Sequence, residues 1–91
     1  MATTQEIRAC LQAHGYEEDR FGHMKKTFPA AAGVPEKTQR YKFGKQLLRR
    51  EVLCRHADGT CSWVRLASTY YKNICVVKDA RGMSYLTGFR G

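Results

Sequence analysis

Thr3 is followed three residues later by Glu6, and Ile7, Cys10, Leu11 and His14 then recur on one helical stripe until Gly15 interrupts it. Thr and Glu at that spacing form a capping box, and Gly supplies a left-handed stop, so the pattern predicts a short helix over about residues 4–14. Tyr16, just beyond the Gly, is placed to pack back on Leu11. A helix this short is not stable alone in water, so it must lie on other structure.

That other structure reads as sheet. Phe21 to Phe28 is a first candidate strand, and Pro29, Gly33 and Pro35 then preclude regular structure, which makes residues 29–38 a mobile loop. From Gln39 to Arg90 the chain is rich in β-branched, aromatic and basic residues. Two turn signals, Ala57-Asp58-Gly59 and Asp79-Ala80-Arg81-Gly82, divide this stretch into strands near 40–56, 60–68, 70–78 and 83–89. The fold class expected is α+β, a short N-terminal helix packed on an antiparallel β-meander of four to five strands. No repeat interrupts it, and 91 residues suit a single domain over residues 1–91.

A three-residue loop at Ala57-Asp58-Gly59, with Gly59 left-handed, sets the register of the central hairpin and pairs His56 with Thr60. One face then carries Leu48, Val52, Cys54, Val64 and Leu66, a surface suited to the helix. The other carries Leu47, Arg49, Glu51, Leu53, Arg55, Cys61, Trp63, Arg65 and Ala67, with Glu51 opposite Arg65 and Leu53 opposite Trp63. Arg50 falls on the apolar face and must snorkel at an edge or be flipped by a bulge, for which Gly44 is a plausible site. The exposure of Tyr41 and Phe43 is left open by this pattern.

Charge changes the picture. Of sixteen basic and eight acidic residues, the first nineteen positions hold only Arg8 against Glu6, Glu17, Glu18 and Asp19. The excess of +8 therefore lies in the remainder, and seven of the residues from Lys37 to Arg55 are Lys or Arg with Glu51 the single acid. Basic charge interleaved with aromatics suits a polyphosphate partner, because guanidinium and ammonium groups neutralise phosphates while flat rings stack on bases. The expected nucleic-acid-binding residues are Lys42, Lys45, Arg49, Arg55, Trp63 and Arg65. A half-exposed sheet whose polar face happens to be basic, with Trp63 covered by a neighbouring strand or loop, is the plainer alternative. Ser68 to Asn73 adds hydroxyls and an amide of the kind that touch phosphate or sugar oxygens, although adjacent tyrosines in a strand imply one core and one surface ring.

Other chemistry finds less support. Cys54, His56 and Cys61 resemble half a zinc site, but in the preferred register Cys61 points away from the other two, so no metal and no cofactor are expected. Glu17, Glu18 and Asp19 near His23 lack the second acidic motif of a metal-dependent nuclease, and no nucleophile elbow or phosphate-binding Gly loop is present. The acidic cluster could instead dock on the basic sheet or on a basic partner. Without an export signal, the four cysteines are expected as reduced thiols in a cytoplasmic protein with no membrane span.

One helix followed by a meander excludes a helix-turn-helix and lacks the C-terminal helix of a double-stranded-RNA domain. Arg40-Tyr41-Lys42-Phe43-Gly44 shares only composition with the aromatic motif of an RNA-recognition strand. The sequence thus points to a small non-enzymatic module for DNA or RNA. The rival expectation is a phage or mobile-element interaction factor that inhibits a host nucleic-acid-processing or defence complex by contacting protein. An exposed strand edge such as 83–89 could also pair two copies into a dimer.

Overall fold

Thr3 caps the helix as its sequence dictates: its hydroxyl accepts from the Glu6 amide at 3.1 Å, and the Glu6 carboxylate accepts from the Thr3 amide at 3.1 Å. The helix, α1, spans Thr4–Ala13 in a computed structural model that describes residues 2–89. At its end Gly15 takes a φ of +87°, the Tyr16 amide bonds back to the Leu11 carbonyl at 3.0 Å, and Tyr16 is buried with Leu11. The apolar stripe is the one the spacing predicts, with Ile7, Cys10 and Leu11 buried.

Five strands form an antiparallel meander in the order β1 (Glu17–Glu18), β2 (Met24–Phe28), β3 (Lys37–Phe43), β4 (Leu47–Arg55) and β5 (Cys61–Tyr70). A 3-10 turn, Tyr71–Asn73, follows, and β6 (Cys75–Lys78) pairs with β7 (Ser84–Thr87) as a separate two-stranded sheet. The α+β class holds. The expected continuous strands over 40–56 and 70–78 do not: the first is two strands around a hairpin, and the second begins as the 3-10 turn. Phe21 likewise lies outside β2, and the connection before β3 covers residues 29–36, pinched by reciprocal backbone bonds between Ala31 and Val34.

The unexpected hairpin turns at Lys45-Gln46. Gly44 and Leu47 close it through a 2.9 Å backbone bond, and the register then sets Phe43 opposite Leu48, Lys42 opposite Arg49, Tyr41 opposite Arg50 and Arg40 opposite Glu51. Alternation sends Tyr41 and Phe43 to the face that receives the helix, while Arg40 and Lys42 point the other way. The aromatic and basic residues that interleave in the sequence therefore part company in space.

The β4–β5 hairpin turns as predicted, with His56 bonded to Thr60 and Gly59 at a φ of +88°. Pairing runs in the expected register from Arg55–Cys61 through Glu51–Arg65, then shifts at a β-bulge so that Arg50 faces Ala67 and Leu48 faces Thr69. Leu66 is the surplus residue and lies exposed, whereas Ala67, expected on the outer face, is buried against the core. Val64 is also exposed, because helix and small sheet cover only the other end of this face. The bulge is in β5 rather than at Gly44, so Arg50 stays on the covered side. There its guanidinium bonds the Tyr41 hydroxyl and lies 5.9 Å from the Phe89 ring.

The core sits between the large sheet and a second layer made of α1 and the β6–β7 hairpin. Ile7, Leu11, Met24, Leu48 and Ile74 fill it, with Tyr16 and Tyr41 edge to face at 5.3 Å. Burial and the nearby Tyr41 push the Tyr16 hydroxyl up to about 12. Gly88, at a φ of +106°, lets the end of β7 pass against the 3-10 turn, where a Cβ would stand 2.2 Å from the Asn73 carbonyl oxygen.

Candidate nucleic-acid interface

The side of the sheet turned away from the helix is built in cross-strand rows, because partners in an antiparallel ladder point to the same face. One row runs Glu17, Lys25, Arg40, Glu51, Arg65 across all five strands. Its centre is neutralised: Arg40 Nε donates to Glu51 Oε1 at 2.7 Å, and the two side chains are only 15% and 10% exposed. Glu51 thus serves Arg40 on β3 rather than Arg65 on β5, the partner expected from the sequence.

Arg40 also decides the state of Trp63. Its guanidinium lies 4.1 Å from the centre of the indole, so one ring face is occupied by a cation already fixed to Glu51. A base stacking on that face would have to displace a guanidinium that is held in a largely buried ion pair. Trp63 is half-buried and covered from the neighbouring strand direction, as the plainer reading allowed.

The next row is different. Lys42 stands directly opposite Arg49, and Arg49 opposite Ser68, with no acid in the row. Like charges directly opposed on a sheet are mildly destabilising, and counter-ions or any other anion at this row would relieve the repulsion. Lys45 follows at the turn. Among the described residues, none of Lys42, Lys45, Arg49 and Arg65 has a carboxylate within 4.0 Å. Lys42, Lys45 and Arg49, with Gly44, Gln46 and Leu47, line an open depression of about 270 Å³. The sheet therefore brings together three of the six residues named from the sequence, with Arg65 one row away.

Arg55 is not among them. It lies six residues along β4 from Arg49, about 20 Å away, and its guanidinium is 3.9 Å from the Glu36 carboxylate.

Tyr70 and Lys72, which were not among the residues expected to bind, extend the same end of the sheet. Tyr70 pairs with Leu47, which puts its ring on the Lys42–Arg49 face, 48% exposed. Two further depressions adjoin the first: one is shared by Leu47, Ser68 and Tyr70, the other by Gln46, Tyr70 and Lys72. Lys72 Nζ lies 5.5 Å from the Tyr70 ring centre, an exposed cation–π contact worth about 0.5–1 kcal/mol. Tyr71 is the inward tyrosine of the pair. It stacks on Phe43 at 6.4 Å, and its hydroxyl donates to the Gly44 carbonyl at 2.7 Å, bracing the turn that carries Lys45.

The acidic cluster has structural work. Asp19 accepts from the Phe21 and His23 amides at 2.9 and 3.0 Å and so organises the β1–β2 turn, and Asp79 repeats the arrangement with Arg81 and Met83. Glu18 pairs with Arg8 at 3.0 Å. His23, beside Lys42, accepts from the Phe43 amide through Nδ1 at 3.2 Å, and burial lowers its pKa against the opposing pull of Asp19. Cys54 lies opposite Ser62, and Cys61 points to the other face opposite Arg55, while His56 Nε2 lies 2.8 Å from Ser62 Oγ. No group of three metal-ligating side chains converges among the described residues. No helix of the described residues is long and apolar enough to cross a membrane.

No protein-family model matches the chain, and no curated protein or solved structure is significantly similar to it.

Proposed function

We propose that this protein is a small, non-enzymatic nucleic-acid-binding module that uses the outer face of its five-stranded sheet. The observation that carries the reading is the acid-free row in which Lys42 directly opposes Arg49, with Lys45 at the adjoining turn. A phosphate between the two strands relieves the repulsion and gains two charge-assisted contacts at once, and release of condensed counterions supplies most of the affinity. Arg65 lies one row further on and extends the positive track. Phosphate contacts dominate this scheme, so sequence preference is modest.

Titration of labelled DNA and RNA oligonucleotides, single and double stranded, at two salt concentrations tests the reading. Log affinity should fall linearly with log salt, by about 0.7–0.9 for each phosphate contact. The Lys42→Ala, Arg49→Ala double variant should bind more weakly and with a shallower slope. Absence of binding at low salt, or unchanged binding by the double variant, refutes it.

A further inference from the structure

We infer that the stacking residue of this face is Tyr70 rather than Trp63, and that the ligand it selects is single-stranded nucleic acid. The inference rests on the nucleic-acid reading above and specifies which form of nucleic acid is held, and how.

Three observations converge on it. The bulge at Leu66 rotates the end of β5 so that Tyr70 projects onto the face of Lys42 and Arg49, beside Leu47. Leu47 and Gln46, which line the depression of Lys42, Lys45 and Arg49, also line the two separate depressions that Tyr70 borders, so the ring stands next to that cationic hollow on one side and to Lys72 on the other. The ring is half exposed, and among the described residues the cation over it is the exposed Lys72, which can swing to a phosphate when a base takes its place. Trp63 offers no such exchange, because the cation over it is bound to Glu51 in a largely buried pair.

A flat ring on a sheet face can stack only on an unpaired base, since a duplex hides the faces of its bases in its own stack. The α-helix of the described residues lies on the opposite side of the sheet, so it cannot enter a groove while this face is engaged. Phosphates on either side of the base then meet the two groups of cations, a pattern suited to a strand crossing the end of the sheet.

The test uses fluorescence anisotropy with a labelled twelve-nucleotide dT strand, the same length of rU, and a mixed-sequence duplex of equal length, at one low salt concentration. The single strands should bind about tenfold more tightly than the duplex. Tyr70→Ala should weaken single-strand binding by about tenfold without changing the duplex affinity or the salt slope, and Tyr70→Phe should restore it. Emission of Trp63, the one tryptophan of the chain, should be unchanged at saturation. Wild-type affinity in Tyr70→Ala, an equal or tighter duplex complex, or quenching of Trp63 that persists in Tyr70→Ala overturns the inference. If the Lys42→Ala, Arg49→Ala variant loses binding while Tyr70→Ala does not, the stacking assignment falls and the nucleic-acid reading stands. If no oligonucleotide binds wild-type protein at low salt, both fall. The Tyr70 ring is exposed enough for either variant to fold, and matching far-ultraviolet dichroism and melting curves establish that it has.

Discussion

The guanidinium of Arg40 lies 4.1 Å from the centre of the Trp63 ring while its Nε holds Glu51 at 2.7 Å. Acid, cation and indole come from β4, β3 and β5, so this stack ties the last three strands of the sheet together on the face turned away from the helix. Glu51→Ala leaves the Arg40 charge largely buried without its acid and should destabilise the fold by about 3 kcal/mol. Replacing both partners, Arg40→Met with Glu51→Leu, should recover most of that loss. Urea denaturation followed by Trp63 emission measures both, and equal destabilisation by the single and double variants would contradict the pairing.

Lys42→Glu separates stability from binding. It turns the opposed Lys42 and Arg49 into an ion pair, which should raise stability by about 0.2–1 kcal/mol. The same substitution places a carboxylate in the row proposed to take phosphate, and on that proposal it should lower oligonucleotide affinity more than Lys42→Ala does. Thermal melting and anisotropy on one preparation give the two signs, and a loss in both would speak against the repulsion inferred for the wild-type row.

His23 predicts an acid limb of stability. Its pKa is lowered below 6.5 by burial, and its Nδ1 must be unprotonated to accept from the Phe43 amide. The unfolded chain therefore takes up its proton first as pH falls, so the contribution present above about pH 6.5 is lost through the folded-state pKa. Asp19 favours the charged ring, while Arg40 and Lys42 oppose it. His23→Gln keeps an acceptor but does not titrate, so its stability should change less than that of wild type between pH 7.5 and pH 5.5. Parallel melting curves for the two proteins across that window would exclude the linkage.

Gly88→Ala should be among the costlier single-methyl additions in the chain. The backbone is left-handed there, and the new Cβ would fall 2.2 Å from the Asn73 carbonyl oxygen, which a backbone atom cannot yield cheaply. A loss of about 1–3 kcal/mol is expected by chemical denaturation. Gly33→Ala is the control for handedness alone, since its Cβ would meet nothing within 4 Å.

Local chemistry made part of this architecture readable. The Thr3–Glu6 box, the Gly15 stop and the Gly59 loop each depend on a few neighbouring residues, and the loop fixed pairs as far as Glu51 and Arg65. The turn at Lys45-Gln46 carries no Asn-Gly or Asp-Gly signature, so β3 and β4 read as one strand, and Arg40 was hidden as the partner of Glu51. The bulge at Leu66 left no glycine to mark it, which misplaced Ala67. For the candidate site, Lys42, Lys45 and Arg49 were legible as charge. Their convergence with Tyr70 and Lys72 was not, because it depends on the β3–β4 register and on the 3-10 turn after β5.

In the uninterrupted register Thr69, not Tyr70, would stand across from Leu47, and the tyrosine ring would be aimed toward the helix. A count of one extra amino acid in β5, odd rather than even, thus chooses which of two adjacent side chains meets solvent. Removing Leu66 would exchange a hydroxyl-bearing ring for a threonine at the end of the basic face while leaving every charge of that face in the sequence. Chain length between two turns, as well as residue identity, is therefore part of what specifies this surface.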